Sequence, residues 1–194
     1  MNLLSFDTET TGLPSPGLPL DHPVQPRMVQ LGAVLCDTKG REIQALNTLI
    51  TPDGWQVDYD SEQVHGWTTE DCAFLGIPAA EAMAAFADMC ARADVVGAHH
   101  LAFDRRILEI EAAFHPEAKM PEFRKGICTM IRSASLVGIP YGDGYKRPSL
   151  VEAVNALTDD EIDDDDLHDG FQDARYCMKV MLELDNLGVL EDAP

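Results

Sequence analysis

The sequence predicts an α/β fold in which a mixed sheet is flanked by helices. Three observations predict it. The N-terminal part holds three β-like runs, Leu3–Thr8, Met28–Cys36 and Glu42–Ile50, and CDTKGRE between the second and third reads as a hairpin turn. From Ala79 onward, apolar residues recur at helical spacing. Short β-branched stretches interrupt those helical segments, so α and β alternate as they do in sheets covered by helices.

The elements follow in order. Between the first two strands, LPSPGLPLDHPVQP is rich in Pro and Gly and predicts a long exposed loop. The third strand stops at TPDG. Ala79–Ala93, rich in Ala and Met, predicts a helix, and Asp94–Ala98 (DVVGA) a short buried strand. Ala102–Phe114 returns to helical period, and Gly126–Met130 predicts another short strand. Ser149–Leu157 predicts a short helix with Ser149 as N-cap. Asp169–Leu187 predicts a long final helix. With no internal repeat, residues 1–194 are expected to form a single domain.

Composition excludes several classes. Apolar residues make up 45%, enough for a core and against bulk disorder. No apolar run approaches the ~20 residues of a membrane span, and the start is not that of a signal peptide, so a cytoplasmic location is expected. The five cysteines are odd in number and form no CxxC pair, against a disulfide framework or a cysteine zinc site. They read as small buried residues. The net charge of −20 opposes avid non-specific binding to phosphate backbones, although bound cations can dominate the charge of a local site. Asp159–Asp166 (DDEIDDDD) has seven acids in eight residues and reads as a solvated, self-repelling loop.

Other acids sit where they carry chemistry. Asp7 and Glu9, in FDTETTG, are separated by one residue, so on a strand both carboxylates project from one face. Their charges repel unless a cation lies between them, and a hard divalent ion takes oxygen ligands. The Thr11–Gly12 pair permits a tight turn just beyond. A D-x-E pair alone is weak evidence. Asp104 adds a third acid near the start of a helix, where the helix dipole by itself favours an acid. His168 and Asp173, in LHDGFQDARYC, fall on the first turns of the last helix, within reach of one pocket.

These segments together resemble the three exonuclease motifs of the DEDDh family of 3′–5′ exonucleases, the group that includes the proofreading subunit of bacterial DNA polymerase III. FDTETTG resembles the first motif. AHHLAFDRRIL is similar to the second, A-H-N-x-x-F-D-x-x-x-L, and HDGFQDA to the third, H-x-A-x-x-D-A. VHGWT at Val64–Thr68 resembles the V-H-G-I-T stretch between the first two motifs. The matches are in order and run from Asp7 to Asp173, nearly the whole chain.

The resemblance implies a ribonuclease-H-like fold, a mixed five-stranded sheet with helices on both faces. It implies that Asp7, Glu9, Asp104 and Asp173 hold two Mg²⁺ or Mn²⁺ ions, with His168 as the base that takes the proton of the attacking water. Two metals can stabilise the attacking and leaving oxygens of an in-line displacement, and an imidazole suits proton transfer near neutrality. It implies that Thr10, Thr11, Gly12, Leu13, His65, His100 and Phe103 meet the substrate. The expected activity is release of nucleoside 5′-monophosphates from the 3′ end of single-stranded or frayed DNA. The expected partners are that 3′ end, DNA rather than RNA, and a polymerase or other replication or repair protein.

A 3′–5′ exoribonuclease is the alternative within the enzyme class. A non-catalytic acidic interaction protein on the same fold is the alternative outside it. His100 stands where the family usually has Asn, and Gly170 where Ala is common. Arg105 and Arg106 after Asp104 read as a solvated helix face. Tyr141, Tyr145, Lys146 and Arg147 form an aromatic and basic cluster suited to a single strand or to a plain surface loop.

Overall fold

In the computed structural model, which describes residues 1–190, strand β1 (Asn2–Thr10) lies at the centre of a five-stranded sheet. It pairs antiparallel with β2 (Met28–Asp37), which pairs antiparallel with β3 (Glu42–Leu49). On its other side it pairs parallel with β4 (Val95–Ala98), and β4 pairs parallel with the edge strand β5 (Gly126–Cys128). The order is β3-β2-β1-β4-β5, the mixed sheet that the sequence predicts. The last residues of the expected 1–194 domain, 191–194, lie outside the described part of the chain.

Nine of the ten β2 residues are buried, because helices cover both faces of the sheet. Leu4 and Phe6 of β1 point to one face, where they meet α3 (Ala79–Arg92) and α4 (Leu101–Phe114) in a core built on Phe86, Met83 and Ile107. Leu3 and Val34 point to the other face, against α7 (Leu150–Leu157) and α8 (Gly170–Asn186). Ser149 caps α7 through a reciprocal capping box with Glu152, as the sequence predicts. All five cysteines are free, and four of them are buried. Among the described residues no helix is long and apolar enough to cross a membrane.

Several expectations are corrected. Helices α1 (Tyr59–His65) and α2 (Thr69–Leu75) had no periodic signal. Each is only seven residues long and is specified by its cap, Asp58 for α1 and the Thr68–Asp71 box for α2. The stretch expected as a strand to Met130 leaves the sheet at Cys128 and turns into α5 (Thr129–Arg132), with α6 (Ala134–Val137) after it. Pro140–Tyr141 (β6) and Gly144–Tyr145 (β7) form a small exposed hairpin. The loop before β2 is not free: Gln25 is buried, donates to the Ser15 and Pro19 carbonyls and accepts from the Ser15 amide. In the acidic stretch, Asp163 caps a single 3₁₀ turn over Asp164–Asp166, and Asp160 pairs with Lys179 at 2.6 Å.

Candidate active site

The site forms where β1 runs past its parallel neighbour. The β1–β4 ladder ends at the Ser5–Gly97 pair, while β1 continues to Thr10. Chain β4 departs there into α4, opening a crevice at the carboxyl end of the strands, the usual ligand position in parallel sheets. Asp104 of α4 fills the vacated place. Its Oδ1 accepts from the Thr8 amide at 3.1 Å and from the Thr8 hydroxyl at 3.0 Å. A side chain thus takes the β1 N–H that lacks a strand partner.

Asp7 and Glu9 lie on the opposite face of β1 from Phe6, under the first turn of α8. That turn sits directly on β2: a Cβ on Gly32 would fall 2.2 Å from the Gly170 carbonyl oxygen. Gly32 is the register partner of Asp7, so this contact sets α8 over the acids. Gln30, fully buried, fixes the same turn. Its Oε1 accepts from the Gly170 amide at 2.9 Å and from Trp67 Nε1 at 3.1 Å, and its Nε2 donates to Asn47 and Asp169. Asp169 is the N-cap, accepting from the Phe171 and Gln172 amides.

His168 does not lie on the helix as expected. It precedes the cap, is exposed, and has φ of +70°, the single non-glycine residue with positive φ among those described. Its amide donates to Asp173 Oδ2 at 3.2 Å. One ligand atom each from Glu9, His168 and Asp173 lie within 4.8 Å of one another.

The acids are costly to hold together. Desolvation and then the charges of Asp104, Glu9 and Asp173 push Asp7 well above the carboxylate range. Desolvation, then Asp173 and Asp104, does the same at Glu9. Burial raises Asp104 despite its bonds from Thr8. Burial raises Asp173 to about 7, against the bond from the His168 amide. Asp173 Oδ1 is buried and has no hydrogen-bond partner among the described residues. Converging carboxylates with an orphaned oxygen fit a hard divalent cation, which takes oxygen ligands and removes the repulsion.

Beside the acids lies a cavity of about 320 Å³ lined by Glu9, Thr10, Gly12, Leu13, His65 and Phe103. Leu13 is 81% exposed, while His65 is buried, accepts from the Trp67 amide through Nδ1, and has its pKa pushed down by burial. Asp60, Ser61 and Val64 of α1 form the far wall; Val64 opens the VHGWT stretch, while Asp60 and Ser61 carried no signal because α1 itself had none. Two of the predicted contact residues stand outside the cavity. Thr11 is tied to Arg27, its amide donating to the Arg27 carbonyl and its hydroxyl accepting the Arg27 amide, each at 2.9 Å. His100 is exposed ahead of α4, its ring stacked on Phe103 with centroids 6.1 Å apart. Arg105 and Arg106 share Glu109 on the outer face of α4.

Sequence reasoning missed Gln30 and Asp169. The signal for Gln30 was present, a polar residue inside the apolar run MVQLGAVL. Asp169 is the acid of H-D-G, placed as a cap rather than in the helix.

An exonuclease family model, RNase_T, matches residues 4–181. Among solved structures, the nuclease domain of 3′hExo, a DEDDh family member bound to rAMP, matches with a TM-score of 0.69 at 14% identity, over 97% of this chain and 93% of that one. A 3′-exonuclease recognising a histone mRNA stem-loop matches with a TM-score of 0.72 at 14% identity, over 97% and 83%. E. coli exonuclease I in complex with a dT13 oligonucleotide matches with a TM-score of 0.68 at 16% identity, over 98% of this chain and 42% of that one. No curated protein sequence matches.

Proposed function

The chain belongs to the exonuclease family, as a 3′–5′ exonuclease of DEDDh type with the ribonuclease-H-like fold, and we propose that it shortens single-stranded or frayed DNA and releases nucleoside 5′-monophosphates. We read residues 1–194 as one exonuclease domain working in the cytoplasm, brought to its substrate by a polymerase or another replication or repair protein. The observation that carries this reading is the convergence of Asp7, Glu9, Asp104 and Asp173 next to the cavity formed by Thr10, Gly12, Leu13, His65 and Phe103.

The family implies divalent ions, and the reading assigns two Mg²⁺ or Mn²⁺ to the four carboxylates. Bound there, they supply charge neutralisation at the scissile phosphate and a more acidic attacking water. The chain's own residues do the rest. Thr8 holds Asp104 against β1 through two hydrogen bonds, so that carboxylate needs no reorganisation. His168, exposed and within 4.8 Å of Glu9 and Asp173 ligand atoms, takes the proton of the attacking water. The cavity of about 320 Å³ is of a size to receive one terminal nucleotide, which supports an unpaired 3′ end. Leu13 covers its base, and Thr10, Thr11 and Gly12 shape the turn beneath. His65 lines the wall, and His100 supports Phe103 by stacking.

RNA is the second reading. Structures that match this chain about equally well are described with an mRNA stem-loop and with oligo-dT. The test is 3′-end degradation of matched 5′-labelled DNA and RNA oligonucleotides with Mg²⁺ or Mn²⁺. Stepwise shortening of DNA in preference to RNA, abolished in Asp7→Asn, is the expected result. Equal shortening by wild type and Asp7→Asn would overturn the site assignment, and a preference for RNA would overturn the choice of DNA.

A further inference from the structure

The first turn of α4 has three neighbours. Phe103 points into the terminal-nucleotide cavity and Asp104 into the carboxylates. Leu101, Ala102 and Arg105 instead wall a second, larger groove of about 600 Å³, closed on its other side by Ile127 of β5 and by Ile131 and Arg132 of α5. Arg105 is one residue after Asp104, about 100° round the helix axis. The groove and the carboxylates therefore share one helical turn as a wall.

The groove's chemistry is specific. Its floor is apolar, from Leu101, Ile127 and the 52% exposed Ile131. Two guanidiniums stand at it, in a chain with only 14 Lys and Arg against 34 acids. Arg105 is loosely shared with Glu109 at 3.4 Å and lies 6.0 Å from the centre of the Phe123 ring, and the Arg132 side chain makes no hydrogen bond or ion pair among the described residues. Cations on this protein are mostly engaged by its own acids, so an uncommitted one beside an apolar floor matches a ligand that is both flat and anionic. The groove is also held firmly. His99, just ahead of α4, has Nδ1 2.9 Å from the Thr129 hydroxyl and Nε2 3.0 Å from the Pro148 carbonyl, which ties α5 and the segment after the β6–β7 hairpin to the turn that delivers Asp104.

We propose that this groove binds the nucleotide immediately upstream of the terminal one, its base on Leu101 and Ile131 and its phosphate on Arg132 and Arg105. The inference rests on the reading of the chain as an exonuclease of single strands. A strand whose last nucleotide fills the Leu13–Phe103 cavity crosses the carboxylates with its scissile phosphate and then meets this groove. Base contact with apolar side chains and phosphate contact with Arg are tolerant of sequence, as stepwise trimming of a strand of any sequence requires.

The test compares two substrates: a twelve-nucleotide strand (dT12, and rU12 beside it) and thymidine 5′-p-nitrophenyl phosphate, which carries one nucleoside and, in the leaving-group position, a nitrophenyl ring with no upstream nucleoside and no second phosphate. Wild type, Arg132→Glu, Arg132→Ala and Ile131→Ser are measured, with thermal midpoints as the check on folding. The expected result is a fall of about tenfold in the ratio of kcat/KM for the strand to kcat/KM for the ester in Arg132→Glu, and a smaller fall in Ile131→Ser. Arg132→Ala should also lower the slope of log(kcat/KM) against log[salt] for the strand by roughly 0.7, the mark of one lost phosphate contact. An unchanged ratio and slope in folded variants, with wild type active, would overturn the groove alone. Wild type inactive on every substrate with Mg²⁺ and Mn²⁺ would overturn the exonuclease reading and the groove with it.

Discussion

Gly32 and Gly170 touch backbone to backbone: a Cβ built on Gly32 would stand 2.2 Å from the Gly170 carbonyl oxygen and 2.4 Å from the Phe171 nitrogen. The obstacle is backbone, so no rotamer can relieve it, and φ at Gly32 is ordinary, so the requirement is for space alone. Gly32→Ala should push the first turn of α8 off the sheet and carry Asp173 away from Asp7. We expect a loss of at least about 1–3 kcal/mol, the usual cost of overpacking, in chemical unfolding, together with loss of nuclease activity. Gly170→Ala is the contrast. Its nearest contact would be Gln30 Oε1 at 3.4 Å, an ordinary approach, so that variant should keep both stability and activity.

His168 combines a left-handed backbone with an exposed imidazole. The two properties can be separated. His168→Gly removes the imidazole and relieves the backbone, so kcat should fall by on the order of 10²–10⁴ with stability unchanged or slightly higher. His168→Val should lose the same activity and lie about 1–2 kcal/mol below His168→Gly in stability, the cost of a side chain in that conformation. Equal thermal midpoints for the two variants would refute the strain argument, and retained kcat in both would refute the base.

Arg27 is the centre of a buried charge network behind the Thr10–Leu13 turn. Its guanidinium donates to Glu111, which is fully buried, and to Asp53 at 2.7 Å, while Glu111 also accepts the Met28 amide at 2.7 Å. Arg27→Met should cost about 3–5 kcal/mol because it strands a buried carboxylate. Adding Glu111→Gln should return much of that loss, since the amide oxygen still accepts from Met28. Urea unfolding of the single and double variants measures this, and additive losses would contradict it.

The clustered acids couple stability to pH and metal. Each is held above the ordinary carboxylate range, with Asp173 at about 7, whereas the unfolded chain releases these protons near pH 4. Between those limits the folded protein binds more protons, so its stability falls as pH rises through that window. With a chelator, the thermal midpoint should drop between pH 5 and pH 8. Millimolar Mg²⁺ should reverse the drop, because the ions bind the ionised, folded cluster. Asp104→Asn should flatten the drop without metal, as the Asn oxygen can still accept from Thr8. A midpoint that falls with pH identically in that variant would assign the effect to the overall charge of −20 instead.

The strands, the long helices and the order of the acids were legible because each depends on neighbours a few residues away. The β-like run Leu3–Thr8 marks β1, helical period marks α3 and α4, and Asp7 and Glu9 share a face by the geometry of any strand. Helices α1 and α2 were not legible, since short helices held by Asp58 and Thr68 caps carry little periodic signal. The same holds for His168, whose place depends on Asp169 capping α8 one residue later.

The sequence by itself therefore determined which groups meet and in what order along the chain: two acids on a strand end, one at a helix start, and a histidine and an acid near the last helix. Only the tertiary structure decided how they meet. The Gly32–Gly170 approach, the Gln30 bonds to Trp67 and Gly170, and the early end of the β1–β4 ladder join residues far apart in the chain. Local patterns specify which face of an element turns inward. Distances of 2–4 Å between elements, and the desolvation that raises the acids' proton affinity, arise only when those faces are packed together.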